Sequence, residues 1–336
     1  MVRIHLVVDG QQPLPAIIIA PPEDLHALTV AWEIRQCGGS VIILNTADFP
    51  NLWSISLTAD EGDAPRFDVI TAEGVVTDAA ISGVWWRRTR PFAVSEAITD
   101  DKHRRLCRDD CAALFEGWIY ALGARVINPL AAELAARRKP VQLANARRCG
   151  LRHPSTVISS SPDDVRALLS RHDGEFIYKG LTTPASMIVE TRPLDEEARG
   201  NLALLRFSPC IIQRRIDGGA DIRATIVEDE IFAAEIRARH PGAQLDWRLD
   251  PAIDVHAHTL PDEVAGAIQR MQKELGLRYG AYDLRRDAEG KYWFFEVNPG
   301  GQYLFVEIAT EQKISRAIAR ALIAAPATCE IPHDAT

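Results

Sequence analysis

Asp283, Glu296 and Asn298 are the residues of this chain best placed to do chemistry together. Asp283 ends an apolar run that begins at Gly280. Asp287-Ala-Glu-Gly290 reads as a turn, and a second run, Tyr292 to Phe295, leads into Glu296 and Asn298. Residues i and i+2 of a strand share a face. A hairpin with this turn therefore gathers two carboxylates and an amide oxygen around one point. Three hard oxygen donors suit Mg2+, which takes one or two carboxylates and leaves nucleotide phosphates to complete its octahedron. The competing reading is a solvated hairpin with ordinary surface acids. Against it, Glu296 and Asn298 alternate with Phe295 and Val297, and Pro-Gly-Gly301 closes the run.

The elements that must position these residues can be followed along the chain. Residues 16–50 read as strand, helix, strand. Ala16-Ile-Ile-Ile-Ala20 is apolar, Pro21-Pro22 opens a helix with Glu23 and Asp24 in its first turn, and Gly38-Gly39 stops it. Leu25, Leu28, Trp32 and Ile34 follow helical spacing, and Val41-Ile-Ile-Leu44 is the next strand. Such a βαβ unit implies a parallel pair. Further strands are expected at 53–58, 67–71 and 83–87, and a helix at 100–121. The character changes near residue 125. A strand at 124–129 leads to a helix at 130–149, then come a strand at 155–158 and a helix at 163–171. Strands at 175–180, 210–213, 221–227 and 231–236 follow, with a helix at 261–275, the hairpin at 280–298 and a last helix at about 309–324. Mixed strands and helices with antiparallel hairpins in this half fit an α+β module.

Composition narrows the function classes. The chain has 336 residues, 47% apolar and 25% charged, the profile of a globular protein of two or three domains. A net charge of −8 argues against nucleic acid as the main partner. No apolar run of membrane-spanning length exists, and the first residues do not read as a signal peptide. The six cysteines are scattered, which fits reduced cytoplasmic thiols better than a disulfide framework. His103, Cys107 and Cys111 could share one helical face. Zinc would want a fourth ligand and a tighter cysteine pair, so structural thiols on an amphipathic helix are the commoner outcome.

A strand-terminal Lys179, the segment Ile211-Ile-Gln-Arg-Arg-Ile-Asp217, paired strands bearing Arg223, and the Asp283/Glu296/Asn298 hairpin occur in that order. The order resembles the ATP-grasp ligases, and within them the microviridin-type, or graspetide, peptide ligases. The resemblance runs over about residues 16–320. It rests on Asn-Thr-Ala-Asp-Phe-Pro50, Val84-Trp-Trp-Arg-Arg88, Arg138-Lys-Pro-Val-Gln-Leu-Ala144, Arg148-Cys-Gly150, Leu245-Asp-Trp-Arg248 and Glu296-Val-Asn-Pro-Gly-Gly-Gln-Tyr-Leu-Phe-Val-Glu307. It implies an α+β ATP-grasp fold behind an N-terminal α/β pre-ATP-grasp domain. The expected boundaries are 1–125 for that domain, 126–212 and 213–326 for the two ATP-grasp subdomains, and 327–336 for a flexible tail.

By the same resemblance, Lys139 and Lys179 look like the two phosphate-binding lysines, although Lys139 also reads as a surface member of Arg137-Arg-Lys139. Gln213, Arg214 and Ile216 look like the adenine hinge, with Asp217, or Asp221 as fallback, for the ribose. Asp283, Glu296 and Asn298 match the ligands of two Mg2+ ions. Arg223 matches the arginine on the γ-phosphate or acyl phosphate, and Arg237 or Arg248 would add a second clamp. The sequence departs from the pattern at four places: Arg214 stands where an acid is usual, Asp217-Gly-Gly-Ala220 lacks a Pro-Lys, the loop after Lys179 (Gly-Leu-Thr-Thr-Pro-Ala-Ser) has one glycine and is not a Gly-rich phosphate flap, and Pro-Gly-Gly301 replaces Pro-Asn-Gly. The implied activity is ATP-dependent activation of a side-chain carboxylate as an acyl phosphate. The activated group is then captured by a hydroxyl or amine of a precursor peptide that carries a leader. The alternatives are a stand-alone carboxylate–amine ligase acting on an amino acid, small peptide or protein tail, and a non-catalytic nucleotide-binding scaffold. No membrane partner is implied, and a homodimer is compatible with the resemblance.

Overall fold

The computed structural model describes residues 13–182, 190–240 and 246–324. Part of the loop after Lys179, Leu245 and the expected tail at 327–336 lie outside them. The chain falls into two compact units. One holds residues up to 134 together with 276–279 and the segment from 313 on; the other holds 135–275 and 280–312.

The first unit begins with β1 (Ala16–Ile19), α1 (Leu25–Gln36) and β2 (Val41–Leu44), the expected βαβ unit with its strands parallel. The side chain of Asp24 caps α1 by accepting from the Ala27 amide at 3.0 Å. The buried stripe of α1 is Ala27, Val30, Ala31 and Ile34. Of the apolar residues singled out in the sequence, only Ile34 belongs to it, while Leu25, Leu28 and Trp32 are exposed. The reason is close approach: α1 packs on α9 (Ile314–Ile323), and small alanines admit a neighbouring helix where Leu and Trp do not. An antiparallel meander follows, β3 (Ser54–Thr58), β4 (Arg66–Thr71) and β5 (Gly74–Thr77), the last not foreseen. The parallel sheet is completed by β6 (Gly83–Trp86), α2 (Asp101–Leu122) and β7 (Val126–Ile127), in the order β2-β1-β6-β7. All four residues of β1 are fully buried, as a central parallel strand requires.

Asp100 caps α2, whose buried residues, Phe115, Trp118, Ile119 and Leu122, lie in its second half. His103, in the first half, is three-quarters exposed beside Asp100. Among the described residues no three His, Cys, Asp or Glu side chains gather at a point that could hold a metal ion. Gly83 lies so close to α9 that a Cβ there would stand 2.6 Å from the Leu322 carbonyl oxygen.

The helix expected at 130–149 is two helices, α3 (Leu130–Ala136) and α4 (Lys139–Arg148). Pro140 explains the break. It has no amide to continue a helix from residue 136, costs about 3 kcal/mol in a helix interior and is tolerated in a first turn. The break makes Lys139 the first residue of α4.

In the second unit, β8 (Thr156–Ser159), α5 (Pro162–Arg171), β9 (Phe176–Lys179), β10 (Arg192–Pro193), α6 (Glu196–Gly200) and β11 (Cys210–Arg214) form a sheet of order β10-β9-β11-β8 with its helices. The second sheet comprises β12 (Ala220–Val227), β13 (Glu230–Ala238), β14 (Ile253–His258), β15 (Tyr279–Arg286) and β16 (Tyr292–Asn298), in the order β14-β13-β12-β15-β16. The sequence reading missed β14, whose two histidines disguise its alternation. Between β14 and β15, α7 (Asp262–Glu274) buries Ala267, Ile268, Met271 and Gln272. Gln272 Oε1 accepts from the Tyr282 hydroxyl at 2.9 Å, so Tyr282 marks the helix-covered face and its neighbour Asp283 points the other way. The last expected helix is again two, α8 (Leu304–Thr310) and α9, separated by Glu311 in the left-handed region at φ 58°.

Candidate active site

Asp283 and Glu296 face each other across β15 and β16, and Ala281 pairs with Asn298 two residues further along. The expected hairpin therefore exists, with one change. The register shifts between Asp283 and Leu284, so that Leu284 pairs with Phe294 and Phe295 is the extra residue of a β-bulge. The alternation of Phe295 with Glu296 expected from sequence is broken at this point. Instead of lying among core residues, the Phe295 ring sits 5.8 Å from Lys179 Nζ and 5.9 Å from the Arg285 guanidinium, the spacing of cation–π contacts.

Each acid is met by one cation. Arg223 Nη1 lies 3.1 Å from Asp283 Oδ2, and Lys139 Nζ lies 2.5 Å from Glu296 Oε2. The Lys139 contact follows from the helix break, because α4 starts at that residue. Burial pushes the Asp283 carboxyl up, and nearby Glu296 pushes the same way, against the pull of Arg223. Burial acts upward on Glu296 too, but the ammonium groups of Lys139 and Lys179 win and hold it well below the usual carboxylate range. Lys179 itself is lowered by burial, which Glu296 opposes. Arg223 is 7% exposed. Its Nε is a buried donor with no hydrogen-bond partner among the described residues, and its guanidinium lies 5.9 Å from the Trp247 ring. A buried arginine with a donor to spare is suited to an incoming anion.

The remaining candidates divide. Arg248 is forked onto Asp246 at 2.7 and 2.6 Å, and its charge acts on both Asp283 and Glu296. Arg237 is not brought to the site. Arg223 shares a face with its pairing partner Ala234, and Arg237, an odd number of residues beyond Ala234, points to the other face, where it meets Glu235 at 2.6 Å. Gln213 is 2% exposed, donates to Thr156 Oγ1 at 2.9 Å, and lies in a strand paired on both sides. The Arg214 and Arg215 amides are also taken, by the carbonyls of Ser155 and Glu175. Ile216 ends this stretch, and its carbonyl accepts from Arg285 at 3.1 Å. Asp217 is 64% exposed beside Arg215. Asp221 is clasped by Arg285, at 2.9 and 2.8 Å. Of the two acids considered for the ribose, Asp217 is thus the accessible one. At Gly219, φ +73°, a Cβ would fall 1.6 Å from the Arg286 carbonyl oxygen, so only glycine lets the turn cross β15.

Sequence reasoning missed Arg285, although it stands two residues from Asp283 and so had a readable face. It gave no role to Gln142, which it met only as a member of the Arg138–Ala144 run.

Two carboxylates and an amide oxygen, each acid already opposite a positive charge, fit hard divalent cations whose coordination is completed from elsewhere. Asn298 Oδ1 also accepts from the Gly300 amide at 3.1 Å, which orients it.

A family model described as the MvdD pre-ATP grasp domain matches residues 17–133. The macrocyclase MdnC of Microcystis aeruginosa MRC, solved with the precursor peptide MdnA, is similar over 92% of this chain and 99% of its own, with 27% identity and a TM-score of 0.78. A RiPP-associated ATP-grasp ligase of Chryseobacterium gregarium, solved with ADP and a leader and core peptide, has a TM-score of 0.83 at 23% identity, over 92% and 96% of the two chains. A probable alpha-L-glutamate ligase of Hahella chejuensis is 29% identical over 203 residues, 58% of this chain and 65% of that protein. The match thus spans less than two-thirds of that curated relative. The chain thus has an ATP-grasp fold with an N-terminal pre-ATP-grasp domain. Within that fold, the chain is similar to the graspetide-type macrocyclase MdnC over nearly the whole of both chains.

Proposed function

We propose that this chain uses ATP and Mg2+ to activate a side-chain carboxylate of a ribosomal precursor peptide and joins it to a hydroxyl or amine of the same peptide. The product is an ω-ester or ω-amide ring. The observation that carries the reading is the paired floor, Asp283 and Glu296 on facing rungs, each held by a cation. The similarity to structures solved with precursor peptides supports the choice of substrate. In this reading residues 1–125 are the pre-ATP-grasp domain, and 126–212 and 213–326 the two ATP-grasp subdomains.

The reaction has two steps. A substrate carboxylate oxygen attacks the γ-phosphorus and the bond to the ADP oxygen breaks, giving an acyl phosphate. The hydroxyl or amine then attacks the acyl carbon, phosphate departs with the bridging oxygen, and the nucleophile's proton goes to phosphate or solvent. Two Mg2+ ions, held by Asp283, Glu296 and Asn298, would neutralise charge on the β- and γ-phosphates. Lys139 and Lys179 supply point charges that suit phosphate oxygens without strict geometry. Arg223, with its spare buried donor, takes the transferring phosphoryl group, and Arg248 adds a positive field. Residues 213–216 border the base, and Asp217 reaches the ribose hydroxyls. The enzyme's work is positioning and electrostatic stabilisation. The reading needs neither nucleic acid nor membrane and is compatible with a homodimer. It sets the reaction in the cytoplasm, where the free thiols of Cys37, Cys107, Cys111, Cys149 and Cys210 stay reduced.

The test is mass spectrometry of a Thr/Ser- and Asp/Glu-rich peptide encoded beside this gene, incubated with enzyme, ATP and Mg2+. Loss of one water per bond formed is expected. If no neighbouring peptide loses water while small amines stimulate ADP release, the chain is instead a stand-alone carboxylate–amine ligase. The similarity to the glutamate ligase and the unusual Arg214 favour that second reading.

A further inference from the structure

The metal-ligand segment of β16 lies at the edge of its sheet, with β15 on one side only. An edge segment is free to shift, fray or slip unless its outward backbone groups are engaged. Val297, between Glu296 and Asn298, is engaged from outside the sheet by a side chain. Gln142 Nε2 donates to the Val297 carbonyl at 2.8 Å, and Gln142 Oε1 accepts from the Val297 amide at 3.2 Å. One primary amide thus satisfies both backbone groups of one residue, as a neighbouring strand would. Gln142 is 1% exposed. Its Nε2 also donates to the Ala136 carbonyl at 2.6 Å, which ties the amide to the last turn of α3 and sets its orientation.

The same turn of α4 grips β16 twice. Lys139 and Gln142 are three residues apart and therefore on one side of the helix. The first meets the Glu296 carboxylate and the second holds the backbone one residue further on. Metal ligands must be held within about 0.5 Å of their working positions, and the other outer-edge tether of β16, the Phe294 amide donating to the Arg152 carbonyl at 2.7 Å, lies on the far side of the Phe295 bulge from both ligands. We propose that Gln142 is the positioning residue of the Glu296/Asn298 ligand pair. Its side-chain amide substitutes for a missing sixth strand and sets the register in which the two ligands are presented. This rests on the assignment of Asp283, Glu296 and Asn298 to a divalent cation.

The test compares wild type with Gln142→Met, which keeps the length and volume of the side chain and removes all three of its hydrogen bonds, the two to Val297 and the one to Ala136. The probe is Mn2+ with ADP, read by electron paramagnetic resonance. ADP affinity in the presence of a chelator and the melting temperature are measured beside it. The variant is expected to bind Mn2+ with ADP about ten- to a hundredfold more weakly, the usual cost of losing a residue that orients metal ligands. Its bound Mn2+ spectrum should broaden, and its metal-free ADP affinity should stay within about twofold of wild type. Were Gln142 merely structural, the melting temperature would fall while the affinity of the folded protein for Mn2+ with ADP held, and that result overturns the proposal. Gln142→Asn, one methylene too short to span both groups of Val297, is the second variant should the first not fold; wild-type Mn2+ affinity in it overturns the proposal equally. Failure of the wild-type protein to bind Mn2+ with ADP would instead refute the metal assignment itself.

Discussion

Replacing Arg285 by methionine removes three hydrogen bonds at once, two to Asp221 and one to the Ile216 carbonyl. Arg285 and Asp221 are both largely shielded, with side chains 11% and 18% exposed. The variant therefore leaves a carboxylate in a desolvated place with no counter-charge. Breaking such a pair on one side costs about 3–5 kcal/mol. The size should depend on pH, and the sign can be worked out. Burial already lifts Asp221 above its ordinary range, and Arg285 is what restrains the rise. In the variant the folded-state pKa climbs further. An acid with a raised folded pKa contributes stability that is present below its unfolded pKa and lost as pH rises through the folded value. The penalty should thus be near its full size at pH 8 and clearly smaller at pH 5. Adding Asp221→Asn removes the orphaned charge, so the double variant should be destabilised by less than the sum of the two singles, with a coupling of about 1–3 kcal/mol. The assay is native-state hydrogen exchange of the β12 and β15 amides across a urea series, which reports on this sheet without assuming that both units unfold together. A penalty equal at pH 5 and pH 8, or strict additivity in the double variant, would refute the reasoning.

Other consequences can be checked with single variants. Arg223→Ala should abolish ATP-dependent product formation, while Arg237→Ala, on the opposite face of the sheet, should leave the rate within about twofold; equal losses would mean that both arginines act at the site. Lys139→Met should weaken ATP binding yet tighten Mn2+ binding to the nucleotide-free protein by about tenfold, because a charged hydrogen bond worth roughly 1.5–3 kcal/mol no longer competes for Glu296; calorimetry with Mn2+ alone decides it. His26 is held at a pKa of about 4 by burial and by Arg87, so its folded value lies below the unfolded one. The stability it contributes is present above pH 6.5 and is lost towards pH 4, to about 3 kcal/mol. The acid-side fall in melting temperature should flatten in His26→Gln, and an unchanged profile would contradict this.

The parts legible in the sequence were those written locally. Asp283, Glu296 and Asn298 sit in one hairpin, with a turn and a short-range alternation to announce them. The βαβ unit is announced by Asp24, by its apolar runs and by the glycines after α1. The break between α3 and α4 is written locally too, in Pro140. What the sequence hides is set by distant partners. Whether α1 buries its leucines or its alanines depends on α9, and nothing within α1 says that a helix will come that close. The bulge that brings Phe295 to the cations is a property of two twisted strands rather than of either alone. Gln142 is an ordinary helix residue until β16 arrives beside it, and the odd step that turns Arg237 away from Arg223 appears only once the pairing of β12 with β13 is known.

The α9 helix has a consequence for how the protein is made. It packs on α1 and against Gly83, yet it is translated after all of the second unit. On the ribosome the first unit must wait, with the faces of α1 and β6 that α9 will cover still open to water, until the other unit has been synthesised. A chain interrupted anywhere before residue 314 would carry that apolar surface permanently uncovered, a ready target for chaperones and proteases. Quality control of this protein is thus built into the order of its segments: the last of the described helices to emerge closes the first unit begun.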